Sequence, residues 1–185
     1  MKNSKPSHRQ ILVELLKALT PTFTPLRAAE VGVAFGATSE TLLREIPQLE
    51  LLMVDPWRVY YQGQRGFDYF ERSFATAVER VSFAGDRAKI FRADSIYAAP
   101  WVPDESFALV FIDGDHRYEA VRDDLTAWWR KVAPGGLLTG HDYHSRKNQS
   151  GAWGVKKAVD EFVERKGLLL EHQGTVWVVR KEGTP

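Results

Sequence analysis

The stretch AAEVGVAFGATSET at residues 28–41 constrains this chain more than any other. A short apolar strand runs into Glu30, a turn carrying Gly32 and Gly36 follows, and Thr38 or Ser39 stands where a helix would be capped. A strand that passes through a glycine turn into a helix leaves backbone N–H groups free at the helix start, and small residues there let a nucleotide-like ligand approach the main chain. The acid before the first glycine narrows the ligand, because a carboxylate there repels a pyrophosphate and suits a cofactor that carries an ammonium group. A dinucleotide fingerprint of the form G-x-G-x-x-G would also need glycine at 37, where Ala37 stands. An ordinary strand–turn–helix of an α/β protein remains the competing reading of this stretch alone.

Composition removes several classes. Lys and Arg number 25 against 24 Asp and Glu, and a net charge of +1 gives no electrostatic case for nucleic acid or a membrane surface as the main partner. The absence of Cys excludes disulfides, thiolate metal sites and a cysteine nucleophile. No apolar run approaches the ~20 residues of a membrane span, and the polar first ten residues lack a signal-peptide core, so a cytoplasmic protein with a small-molecule ligand is expected. The length, 185 residues, suits a single domain, with residues 1–25 as a helical N-terminal extension; self-association into a homo-oligomer is left open.

Taken in order, Ile11, Leu12, Leu15, Leu16 and Leu19 recur at helical spacing behind Pro6 and Ser7, which predicts an amphipathic helix over 7–19. Strands are expected at 27–33, 51–54, 88–92, 107–112 and 136–140, and helices at 39–46, 67–81, 118–132 and 155–163. The Pro134-Gly135-Gly136 turn is read as the stop of the long helix. Residues 168–171 and 175–180 flank a Gln173-Gly174 turn and read as a closing hairpin. The fold class is α/β: a doubly wound, mainly parallel, seven-stranded Rossmann-like sheet with a C-terminal antiparallel β-hairpin and one antiparallel strand at its edge.

In such a sheet the ligand lies outside the carboxyl ends of the strands. Acids stand at all five of these ends: Glu30, Asp55, Asp94, Asp113 and Asp142. Any one of them would serve as a helix cap, but five in succession point to a site. Asp55 lies where a carboxylate accepts both ribose hydroxyls of an adenosine cofactor, and Asp94-Ser95 stand where the adenine edge would be met. Two segments, 57–66 (WRVYYQGQRG) and 144–151 (HSRKNQSG), follow strand ends on the ligand edge and are expected to be mobile covers on the substrate side.

The segments AAEVGVAFGATSETLL, VDPW, RADS, FIDGDHRYEAVRDDLTAWWRKVAPGGLLTGHDY and GVKKAVDEF together resemble the class I S-adenosylmethionine-dependent methyltransferases, in particular the small group of macrocin-type and antibiotic-tailoring O-methyltransferases. Ala34 departs from that group's pattern, standing where many members have a middle glycine. The resemblance implies that S-adenosylmethionine is held by Glu30, Gly32, Val33, Ala34, Phe35, Gly36, Ser39 and Trp57, with Asp55 at the ribose, Asp94 and Ser95 at the adenine, and Asp113 beside them. It also implies a divalent metal, usually Mg2+, on Asp113 and on two acids ending the fifth strand. Those two positions are His141 and Asp142 here, so one acid is replaced by an imidazole. The implied reaction is methyl transfer to a hydroxyl of a small-molecule substrate, with His116 or Asp115 as the base. A catalytically inactive cofactor-binding interaction protein and an NAD-dependent enzyme remain the alternatives.

Overall fold

The computed structural model describes residues 6–58, 66–151 and 153–183. Ser7 opens α1 (His8–Leu19) through a capping box: its hydroxyl accepts the Gln10 N–H, and the Gln10 side chain accepts the Ser7 N–H. Ile11, Leu12, Leu16 and Leu19 of this helix are buried. There follow β1 (Leu26–Val31), α2 (Ala37–Glu45), β2 (Leu49–Val54), α3 (Phe67–Val81), β3 (Ala88–Phe91), α4 (Ser95–Ala98), β4 (Phe107–Ile112), α5 (Tyr118–Trp129), β5 (Val132–Gly140), α6 (Arg146–Gln149), α7 (Val155–Lys166), β6 (Leu170–Gln173) and β7 (Val176–Arg180).

The strands form one sheet in the order β3-β2-β1-β4-β5-β7-β6. All pairs from β3 to β5 are parallel, and β7 runs antiparallel to both of its neighbours. Strand order reverses between β1 and β4, which puts the switch-point crevice beyond Val31 and Ile112. Alternate residues feed two cores. Ala28, Leu109 and Phe111 face α1, α2 and α3, whereas Ala29, Val110 and Ile112 face α5 and α7, where Leu125, Trp128 and Phe162 are buried.

Three expectations need correction. The antiparallel strand lies inside the sheet, not at its edge: β7 is buried at four of its five positions and so pairs on both sides, whereas the largely exposed β6 takes the edge. Helix α2 begins at Ala37, with Gly36 as N-cap in the left-handed region (φ 74°), and neither Thr38 nor Ser39 caps it, because both side chains turn inward to partners across the site. The Pro134-Gly135-Gly136 turn belongs to β5, not to the end of α5. The ladder with β4 slips there, from Phe107 opposite Val132 to Leu109 opposite Leu137, and the glycines absorb the irregularity. No helix among the described residues is long and apolar enough to cross a membrane.

Candidate active site

The carboxyl ends of β1 and β2 are tied together by Asp55. Its Oδ2 accepts the Val33 and Ala34 N–H groups, each at 2.9 Å, and its Oδ1 accepts the Trp57 N–H at 2.7 Å. The Trp57 indole N–H returns a bond to the Ala34 carbonyl at 2.7 Å. Ala34 (φ 49°) and Trp57 (φ 43°) are both left-handed, a conformation that costs a non-glycine residue about 1–2 kcal/mol and that these bonds hold in place. Gly32 (φ 91°) is required by contact as well as by conformation, since a Cβ there would lie 2.4 Å from the Asp113 carbonyl oxygen. The β1 and β4 turns therefore touch, and a cleft of about 580 Å³ opens along them, walled by Gly32, Ala34, Asp55, Asp94, Ser95 and Asp113 among others.

The remaining residues expected at the cofactor sit behind this wall. Glu30 is 2% exposed, accepts the Ser39 hydroxyl and is pushed up to about 8 by burial, against the lowering effect of that bond. Val33, Gly36, Ser39 and Trp57 are buried, and Phe35 packs edge-on against Tyr69 with ring centroids 5.3 Å apart. At the other end of the cleft, Asp94 pairs with Arg58 at 2.5 Å, and the Ser95 hydroxyl donates to Asp124. Asp124 is 4% exposed; burial raises its pKa to about 7 despite Ser95, and the nearby Asp115 and Asp123 charges add to the rise.

The ends of β4 and β5 bring charge together. Asp113, His141 and Asp142 offer ligand atoms that all lie within 4.8 Å of one another. His141 Nδ1 is 3.2 Å from Asp142 Oδ2 and 3.6 Å from Asp113 Oδ1, and its Nε2 meets Thr175 Oγ1 at 2.8 Å. His116 Nε2 approaches the same two carboxylates, at 3.0 Å from Asp142 and 3.8 Å from Asp113. Burial pulls the pKa of each imidazole down, but the paired carboxylates outweigh it and hold both at about 9. Burial would raise Asp113 and Asp142, yet the imidazoles keep both below the ordinary carboxylate range. Asp142 is left-handed (φ 59°), with its carbonyl bonded by the Asn148 side-chain amide at 2.6 Å. Asp115 is committed elsewhere: its carboxylate binds the Arg117 backbone N–H at 2.9 Å and its guanidinium at 2.5 and 2.8 Å, which lowers its pKa against the effect of burial.

Sequence reasoning missed three residues. His8, on α1, packs its ring 4.5 Å from that of His141 and reaches Thr38 Oγ1 at 3.3 Å. Trp153 lies flat on His116, with centroids 3.9 Å apart and planes 16° from parallel, and lines the cleft. Asp124 is the third, on the inward face of α5. The helical pattern of α5 gave a signal for Asp124, an acid among apolar positions; the other two are placed by tertiary packing alone. Of the two expected covers, residues 59–65 of the first lie outside the described residues, and the second contains α6 and is pinned to Asp142 through Asn148.

The family described as "Methyltransferase domain" matches residues 29–143, which include the glycine turn, the strand-end acids and the β4–β5 charge cluster. This chain belongs to that family. The methyltransferase domain has the sheet order and switch-point cleft of class I S-adenosylmethionine-dependent methyltransferases, as the sequence resemblance implied. Solved methyltransferases share the fold along most of its length. An S-adenosylhomocysteine (SAH)-bound methyltransferase from Podospora anserina, PaMTH1, superposes with a TM-score of 0.68 and 13% identity, covering 95% of this chain and 79% of its own. The O-methyltransferase NovP gives 0.66 and 19%, covering 94% and 79%. An SAH complex of an O-methyltransferase from Bacillus cereus gives 0.66 and 14%, covering 97% and 83%. Among curated proteins, the uncharacterized protein y4gI of Sinorhizobium fredii (strain NBRC 101917 / NGR234) is 25% identical over 140 residues. That match takes in 73% of this methyltransferase chain and 15% of the relative.

Proposed function

We propose that this methyltransferase domain moves the methyl group of S-adenosylmethionine to a hydroxyl oxygen of a small molecule. The observation that carries the reading is that one cleft joins two unlike sets of groups. At one end are the glycine turn, Asp55, Asp94 and Ser95, and at the other Asp113 and His116 lead to His141 and Asp142. Asp55 spends three acceptor sites on backbone N–H groups and keeps capacity for a ribose hydroxyl, with Asp94 and Ser95 at the adenine end. Gly32, Ala34 and Gly114 keep the wall beside them low enough for a ligand to lie against the main chain.

The acceptor oxygen attacks the methyl carbon opposite the departing sulfur, so the C–O bond forms as the C–S bond breaks and the hydroxyl proton must leave. His116 is the base assigned here, because it fronts the cleft with its ring stacked on Trp153, whereas the Asp115 carboxylate is spent on Arg117. Asp113 and Asp142 hold His116 protonated with a pKa of about 9, so it acts as base only once it has given up that proton. Asp113, His141 and Asp142 are the residues that would hold a divalent cation, and their oxygen and nitrogen donors, gathered within 4.8 Å, fit one. When bound, such an ion supplies positive charge that acidifies the hydroxyl and neutralises the two carboxylates.

Phenolic and sugar acceptors incubated with S-adenosylmethionine, with products read by mass spectrometry, test the proposal. It expects a methyl ether and SAH in equal amounts. SAH binding without turnover of any hydroxyl acceptor, or methylation found only on nitrogen, overturns it, and full activity in His116→Ala passes the base role to Asp115.

A further inference from the structure

We infer that His141 makes the charge cluster a nitrogen-bearing metal site, one that takes a borderline transition ion such as Co2+ or Zn2+ in preference to Mg2+. The inference rests on the functional reading above only for its location.

Three observations bear on it. First, the donor separations suit a single ion. Metal–ligand bonds of about 2.0–2.2 Å put neighbouring donors about 3.0–3.4 Å apart; His141 Nδ1 lies 3.2 Å from Asp142 Oδ2, inside that range, and 3.6 Å from Asp113 Oδ1, just beyond it. Second, the imidazole is oriented from outside the cluster. Its Nε2 is engaged by Thr175 Oγ1 at 2.8 Å, and its face is covered by His8 at 4.5 Å, so Nδ1 is the nitrogen left to point at the carboxylates. A hydrogen bond on the far ring nitrogen is the arrangement that fixes tautomer and direction in metal-binding histidines. Third, the charge is that of a two-carboxylate site. Asp113 and Asp142 balance a divalent ion, and the His141 imidazole, whose Nδ1 proton such an ion would displace, would contribute a lone pair but no further charge. Mg2+ prefers all-oxygen surroundings and gains from each added anion, whereas imidazole nitrogen favours the later transition ions. The exchange of a carboxylate for His141 therefore costs affinity for the hard ion more than for the borderline ones.

The experiment uses the whole chain, freed of metal with EDTA and dialysed, with no cofactor or acceptor present. Calorimetric titrations with MgCl2 and with CoCl2 give the affinity ratio, repeated on His141→Asp. The expected result is a ratio that favours Co2+ in the wild type and falls by about tenfold or more in the variant, through a gain in Mg2+ affinity. In parallel, nitrogen-labelled histidine is followed by NMR during a Zn2+ titration, and the His141 Nδ1 resonance moves to a metal-bound position. An unchanged ratio in the variant, or a His141 nitrogen that Zn2+ leaves unmoved, overturns the inference. Should His141→Asp fail to fold, the resonance decides alone. Methyl transfer can fail with these results intact, so loss of the functional reading and loss of this one are distinguishable.

Discussion

The two halves of the cleft are held together by different forces. At the β1–β2 end, one carboxylate, Asp55, collects three backbone N–H groups and the Trp57 indole closes the loop on Ala34, so the turn is set by neutral donors bonded to an acid. At the β4–β5 end, two carboxylates stand beside two imidazoles, and the arrangement is electrostatically balanced only while both rings carry protons. The first half is complete as built. The second half holds its proton inventory in place of another positive charge, and an entering cation would displace it. Cofactor recognition and acceptor activation are therefore expected to separate under mutation.

The largest effect tests that separation. Asp142→Ala removes a carboxylate shared by both imidazoles, and turnover should fall by about a thousandfold, in line with the several kcal/mol carried by charge stabilisation at such sites. SAH affinity, read by calorimetry, should change by no more than about twofold; a parallel loss of binding would break the comparison.

Next comes a stability effect on the cofactor side. Asp124 has a folded pKa of about 7 against an ordinary 3.8, so the native state holds its proton more tightly than the unfolded chain. Stability must then fall as pH rises from about 4 to about 7, by an amount on the order of 2–4 kcal/mol. Asp124→Asn should reduce that fall in urea unfolding and leave the part that Glu30, raised to about 8 by burial, contributes over the same window. A wild-type curve that rises over this window would show that Asp124 is ionised throughout.

On the proposed cofactor reading, Asp55→Ala is expected to weaken SAH by about tenfold or more, through loss of a charge-assisted bond to a ribose hydroxyl of roughly 1.5–3 kcal/mol. It should also lower the unfolding midpoint, because the Val33, Ala34 and Trp57 N–H groups lose their acceptor. The smallest effect is Ala34→Gly. Relief of the left-handed φ contributes about 1 kcal/mol, part of which the extra freedom of glycine in the unfolded chain offsets, and a small net gain or no change is expected in thermal unfolding. A loss of more than about 1 kcal/mol would mean that the Ala34 methyl makes contacts that outweigh its strain.

What the sequence disclosed follows the same division. Continuous apolar runs placed the strands of the parallel sheet, and the acid at each strand end followed from position alone, because β-strand geometry carries a residue's place directly into space. Helix α3 begins and ends where the spacing of its apolar residues predicts. The Pro134-Gly135-Gly136 turn misled because the same residues that stop a helix also serve an irregular stretch of ladder. His8 and Trp153 were invisible for a different reason. Each comes from an element far from the strand ends in sequence, and only the docking of α1 and of the segment before α7 brings their rings onto His141 and His116. The partners of Glu30 and Ser39 were likewise set by packing, which buried a carboxyl expected to face ligand.

One measurement tests the independence of the two halves most directly. A single preparation is divided, one part given EDTA and the other a divalent ion, and in each the SAH dissociation constant and the rate of methyl ether formation are measured side by side. The account predicts that SAH binds equally in both to within about twofold, while turnover is lost in EDTA and returns with the ion. SAH binding that disappears with the metal, or turnover undiminished by EDTA, would contradict it.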